Sequence, residues 1–147
     1  MGENRGAAPR LVAVPLRPVD FDALKAALHG GHLPVNDLDQ PGRWFWRFET
    51  PEELPVGFAG IEVHGQNGLL HSLVTLPPLR GRGCGSAMVT RLEFEAQLLG
   101  CAALWVVAPS TADFFTRLGF APCEPGAAPE AIARTQSPAE LLVKSLS

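Results

Sequence analysis

An apolar run at residues 69–76 (LLHSLVTL) meets two prolines and then a basic, glycine-rich turn, Arg80-Gly81-Arg82-Gly83-Cys84-Gly85. A helix-period segment follows at residues 86–99, where Val89, Leu92, Ala96 and Leu99 recur at three- and four-residue steps. Gly100 suits the position that ends a helix. Residues 102–108 (AALWVVA), bounded by Gly100 and Pro109, then read as a strand buried on both faces. Strand, turn, helix and strand in this order make a βαβ unit with a right-handed crossover. The turn aims backbone N–H groups and the positive end of a helix at an anion, most often a phosphate.

The segments before this unit read as an antiparallel meander. Residues 1–9 are small and polar and are expected to form a flexible tail. Residues 10–17 (RLVAVPLR) read as a strand, and Pro15 points it to a sheet edge. Asp20 can cap a helix running to about Leu28, with Phe21, Leu24, Ala27 and Leu28 on one face and Gly30-Gly31 at its end. Residues 32–43 form a polar loop carrying Asn36, Asp37 and Asp39. Strands are expected at residues 44–49 (WFWRFE) and 56–64 (VGFAGIEVH), and the Gly65-Gln66-Asn67-Gly68 stretch turns the second into the strand from Leu69. Downstream, Ser110 or Thr111 caps a short helix to Leu118 that Gly119 ends. Residues 124–138 read as a loop rich in Pro, Ala and Gly, and residues 140–146 as a last strand.

A chain of 147 residues suits one domain, here residues 10–147. The net charge of −3 lacks the basic surplus of a nucleic-acid binder. Cys84, Cys101 and Cys123 stand at unrelated spacings with no CxxC pair, which indicates reduced thiols and no metal cluster. No apolar run approaches the ~20 residues that cross a bilayer. A signal-peptide core is absent, so a cytoplasmic location with no membrane partner is expected.

Three phosphate-binding patterns compete for the glycine turn. A P-loop requires a lysine, and none stands in or beside it. A dinucleotide fold requires GxGxxG and an acid near the end of the next strand, but the glycines are spaced GxGxG and residues 102–108 hold no acid. The third pattern, R-x-x-G-x-G, is met by Arg80, Gly83 and Gly85. Backbone amides from Gly81 to Ser86 would bind a diphosphate, with Arg80 and Arg82 adding charge.

The segment LVTLPPLRGRGCGSAMVTRLE resembles the acyl-coenzyme A site of the GNAT family of N-acetyltransferases, and ADFFTRLGF (residues 112–120) resembles that family's second signature. The resemblance covers residues 10–120 and implies the GNAT fold, α+β with a mixed central sheet flanked by helices. The segments LPVNDLDQPGRWFWRFE, GFAGIE and FFTRLGF are similar to a small GNAT group named arsenic-resistance N-acetyltransferases.

The resemblance implies acetyl-CoA as co-substrate and the amine of a small molecule as acceptor. It places the pantetheine arm on Leu73, Val74 and Thr75 and the diphosphate on Arg80, Gly81, Arg82, Gly83, Cys84, Gly85 and Ser86. The acetyl group would lie near Ser110 and Phe114. At the family's usual tyrosine this chain has Phe115, and it contains no tyrosine at all. A phenol acid is therefore excluded.

For the base, Glu62 is the acid of its strand, and a hairpin at Gln66-Asn67 admits two registers: one sets Glu62 opposite His71, the other opposite Leu73. In both, Glu62, His64, His71 and Leu73 share a face. Glu62 and His71 are the catalytic candidates, with a structural role as the alternative. Asn36, Asp37, Arg43 and Trp46 are candidates for the acceptor site, and an amino-acid-like acceptor fits the Asn36/Asp37 loop and the nearby Arg43 and Arg47, which can hold a carboxylate. No metal is called for. A homodimer is admitted. The rival reading from another class is a non-catalytic acyl-CoA-binding module, which the missing tyrosine supports.

Overall fold

A computed structural model describes residues 10–31, 38, 40–79, 83–107, 112–124, 126–133 and 141–146. The expected tail, residues 1–9, lies outside the described residues. Seven strands form a mixed sheet in the order β1-β2-β3-β4-β5-β7-β6. They are β1 (Val12–Pro15), β2 (Arg43–Glu49), β3 (Pro55–His64), β4 (Asn67–Thr75), β5 (Ala103–Val107), β6 (Ala121–Pro122) and β7 (Leu141–Ser145). The helices are α1 (Phe21–Gly30), α2 (Cys84–Leu98), α3 (Ala112–Arg117) and α4 (Glu130–Ala133). This is the GNAT fold. No helix among the described residues is long and apolar enough to cross a membrane.

Chain contacts divide into two compact units. The first holds Met1–Asp39, Phe45–Ala59 and Ser72–Leu92. In it, β1 pairs antiparallel with β2, Val12 beside Glu49 and Pro15 beside Trp46. β1 is an outer strand, where a residue without N–H costs least. α1 buries Phe21, Leu24 and Leu28 against Phe45, Phe58 and Val74, and each such side chain contributes about 1.5–3 kcal/mol. Asp20 does not cap α1. Its carboxylate accepts from Arg17 N at 3.0 Å, closing the 3-10 turn Pro18–Asp20 that leads into the helix. This side chain is therefore committed to the preceding turn.

The second unit holds Gln40–Trp44, Gly60–His71 and Glu93–Ser147. Here β5 lies parallel to β4, with Asn67 to Leu70 beside Ala103 to Val106, which is the βαβ unit read from the sequence. β7 is inserted between β5 and β6, antiparallel to both. Leu69, Trp105, Ile132 and Leu141 make one core cluster of this unit. Ile132 belongs to α4, a short helix inside the stretch expected to be loop. It is fully buried, and a single apolar anchor in a Pro/Ala/Gly-rich stretch gives no readable period. Lys144 Nζ donates to both oxygens of Glu93 at 3.0 Å and to Leu118 O at 2.8 Å, tying β7 to α2 and to the end of α3.

Two boundaries moved in ways that bear on the site. The turn between β3 and β4 is Gly65-Gln66, one residue earlier than the expected Gln66-Asn67. Gly65 has φ +62° and Gln66 does not share it, the pattern of a type II′ turn. α2 begins at Cys84, two residues before the expected Ser86. It ends before Leu99, with Gly100 at φ +90° as its left-handed terminus.

Candidate functional site

The start of α2 belongs to the first unit. Gly83 precedes the helix at φ +78°, and its carbonyl accepts the first helical bond, from Ala87 N at 3.2 Å. The amides of Cys84, Gly85 and Ser86 come before that bond and have no acceptor within the helix. A left-handed residue directly before the first turn is open to glycine with little strain. The arrangement presents three N–H groups and the positive helix end, as an anion site requires. These residues fit a diphosphate. Arg80, Gly81 and Arg82, expected in the same turn, lie outside the described residues.

β4 carries the segment expected to meet the pantetheine arm. The parallel ladder with β5 ends at Leu70 beside Val106, while β4 continues to Thr75. Ser72 follows the end of the ladder at φ +64°, rare for a residue with a Cβ. A two-residue turn sets His64 beside Asn67 and Glu62 beside Leu69, and unbroken pairing would carry Val56 to residue 75. Leu76 N instead donates to Val56 O at 2.8 Å, so β4 holds one extra residue, a bulge at Ser72. The bulge reverses the alternation. Val74, not Leu73, packs with Phe58, and Phe58 shares the strand face of Glu62.

Both expected registers are thereby corrected: Glu62 lies opposite neither His71 nor Leu73, and Leu73 leaves the shared face. The one-residue shift of the turn and the bulge are backbone features that side-chain alternation does not report. Gly57 of β3 explains the close approach there, because a Cβ on it would run into the Val74 carbonyl and lie 2.9 Å from Met88 Sδ.

The second unit assembles the charged cluster. Arg43 Nε donates to Glu62 Oε2 at 2.8 Å, and His64 Nε2 donates to Glu62 Oε1 at 2.7 Å. Burial raises the Glu62 pKa, but the hydrogen bonds from His64 and Arg43 outweigh it and hold the carboxyl below its usual range. His71 is pushed down to about 4, first by burial and then by the Arg43 charge, with Glu62 opposing. The imidazole is thus neutral at pH 7. The sequence placed Glu62, His64 and His71 on one face, and it missed Arg43 as the partner of Glu62. The two stand on different strands, and no local pattern links them.

The remaining candidates are dispersed. Trp46 is buried while Trp44 is about half exposed, at 48%. Arg47 Nε donates to Glu49 at 2.6 Å. Phe115, at the family's tyrosine position, is buried with edge-to-face contacts to Phe114 at 4.9 Å and Phe120 at 5.4 Å. Asn36, Asp37 and Ser110 lie outside the described residues. Cys84, Cys101 and Cys123 are free thiols.

The sequence model of the Acetyltransferase (GNAT) family matches residues 15–120. The chain belongs to this family. No curated protein matches it by sequence. Among solved structures it is similar to N-acetylglutamate synthase from Neisseria gonorrhoeae complexed with coenzyme A and L-arginine. That likeness has a TM-score of 0.76 at 16% identity and covers 93% of this chain and 33% of that one. The chain thus spans about a third of the synthase's length. It is similar also to the GNAT family N-acetyltransferase YhbS from Escherichia coli in complex with CoA, with a TM-score of 0.67, 17% identity and coverage of 95% and 83%. A GNAT family acetyltransferase from Staphylococcus aureus Mu50 gives 0.69 at 12% identity, over 93% and 99%. At these identities the likeness shows the fold.

Proposed function

We propose that this protein is an acetyl-CoA-dependent N-acetyltransferase acting on the amine of a small molecule. The observation that carries the reading is the start of α2. There Gly83 at φ +78° leaves the amides of Cys84, Gly85 and Ser86 unclaimed by the helix. Membership of the GNAT family and the coenzyme A in the Neisseria and Escherichia structures support it.

In this reading those amides hold the diphosphate together with Arg80, Gly81 and Arg82. Leu73, Val74 and Thr75 offer backbone groups to the pantetheine arm where β4 runs past its ladder with β5. Ser110 and Phe114 border the acetyl end. Bound acetyl-CoA supplies a thioester carbonyl for the amine to attack and a thiol that leaves. His71, held neutral, can accept a proton, and ionised Glu62 offsets the charge that then appears. Arg43 holds Glu62 in place, while Asn36 and Asp37 meet the acceptor; Trp46, buried and alternating with Phe45 along β2, belongs to the other face. With no tyrosine in the chain, the thiolate departs without a phenol acid, as a thiol of pKa ~8.5 permits.

The test is coenzyme A release with a panel of amines. Tight acetyl-CoA binding with no transfer to any amine would favour the second reading, a non-catalytic acyl-CoA-binding module, for which the absent tyrosine speaks. The narrower likeness to arsenic-resistance acetyltransferases supports a role in arsenic tolerance. Acetyl transfer to an amine-bearing organoarsenical, and growth of a sensitive host on it, test it. A cytoplasmic homodimer is the proposed setting, checked by fractionation and light scattering.

A further inference from the structure

α1 has two faces of different size. Phe21, Leu24 and Leu28 fill the core. Ala23, Ala26, Ala27 and Gly30 recur at the same helical spacing and border a cavity of about 540 Å³. Leucine-sized residues at these positions would fill that space. A Cβ on Gly30 would meet nothing within 4 Å. The opposite wall is Phe58 of β3 with Val74 and Leu76. The volume falls within the ~300–1,000 Å³ of small-ligand pockets, and the lining is apolar, as such pockets mostly are.

We infer that this cavity receives the apolar body of the acceptor, so that the acceptor is an amine borne on an aromatic or branched aliphatic group rather than on a polar or dicarboxylic one. The inference rests on the acetyltransferase reading and specifies its substrate. Three features select the occupant. Among the described residues of the lining Arg47 is the one charged side chain, and its Nε is matched by Glu49 at 2.6 Å. Val74 and Leu76 flank Thr75, on the strand segment assigned to the pantetheine arm. The pantetheine arm is assigned to the backbone of Leu73, Val74 and Thr75 and the acetyl group is far smaller than the cavity, which leaves the acceptor as the group to fill it. Ala23, Ala26 and Gly30 are exposed at the rim, so the cavity can be reached from solvent.

The experiment compares 2-phenylethylamine and isoamylamine with glutamate and lysine as acceptors. It also follows the methyl resonances of Ala23, Ala26, Ala27 and Val74 in the acetyl-CoA-free protein. The apolar amines should be preferred by about tenfold or more in kcat/KM, the scale of discrimination by an apolar pocket, and should shift those methyls. Ala26→Phe, which places a ring in the cavity from an exposed position, should raise KM for 2-phenylethylamine about tenfold and abolish the shifts. Thermal unfolding confirms that the variant is folded.

Should glutamate be acetylated as well as 2-phenylethylamine, the substrate class is wrong and the acetyltransferase reading stands. If the methyls stay still at millimolar apolar amine, the cavity assignment is overturned whatever the turnover. A monomer–dimer change on Ala26→Phe with no effect on KM would show a second copy of the chain in the cavity instead.

Discussion

The start of α2 and the cluster around Glu62 are built in opposite ways. The first is made of backbone: one left-handed glycine and three amides left over by helix geometry. The second is made of side chains, a carboxylate between a guanidinium and an imidazole drawn from two strands. A backbone site needs residues that do little, so its identity lies in local spacing. A side-chain site needs distant residues to meet, so its identity lies in register. The first is therefore fixed by a short stretch of chain, while the second shifts whenever a turn or a bulge does.

Substitutions should separate the two regions. The largest effect is expected from Gly83→Val. A β-branched residue at φ +78° costs about 1–2 kcal/mol of stability and displaces the first-turn amides. Losing two or three hydrogen bonds to charge, at ~1.5–3 kcal/mol each, weakens coenzyme A binding about a hundredfold or more. Calorimetry on a variant shown to be folded checks this, and unchanged affinity would sink the backbone-site assignment. Next comes Gly57→Ala, whose Cβ meets the Val74 carbonyl. Backbone must move, so a loss of about 1–3 kcal/mol in urea unfolding is expected, with coenzyme A binding reduced through β4.

On the side-chain region, pH is the sharper tool. The His71 pKa falls from 6.5 to about 4 on folding, so the unfolded chain binds the proton more readily. Its contribution is full above pH 6.5 and is lost as pH falls from 6.5 towards 4, a span worth about 3 kcal/mol. Glu62, also lowered by folding, contributes above its ordinary 4.5 and loses that contribution only at lower pH. Urea midpoints in pH steps should show the first loss in the wild type, and His71→Gln should flatten it. The smallest effect is expected from Arg43→Met. Removing one of two partners of a part-buried Glu62 costs about 1 kcal/mol, raises its pKa and lowers transfer more than coenzyme A binding. Equal effects on both would remove the distinction between the regions.

The same contrast explains what could be read in advance. The βαβ unit, the face of α1 and the edge position of β1 followed from Val89, Leu92 and Ala96, from Phe21, Leu24 and Leu28, and from Pro15, because each is a local period or a local exclusion. The start of α2 was legible to within two residues for the same reason. The Glu62 register was not. It depends on whether the turn is Gly65-Gln66 or Gln66-Asn67, and on an extra residue at Ser72, a serine in a conformation nothing in its neighbours announces. Arg43 was legible as a cation near the site, but its bond to Glu62 crosses strands. Ile132 anchors a helix too short to carry a period.

The insertion of β7 between β5 and β6 governs the order in which this chain can fold. Residues 141–145 supply the antiparallel neighbour of both strands, so until they leave the ribosome β5 shows one open edge and β6 has nothing to pair with. The second unit is completed by β7, and Lys144 brings with it the cation that Glu93 and the Leu118 carbonyl await. A nascent or truncated chain lacking these residues exposes the apolar β5, a template for pairing with other chains. Solubility on truncation is thus decided by a strand remote in sequence from the start of α2 and from Glu62.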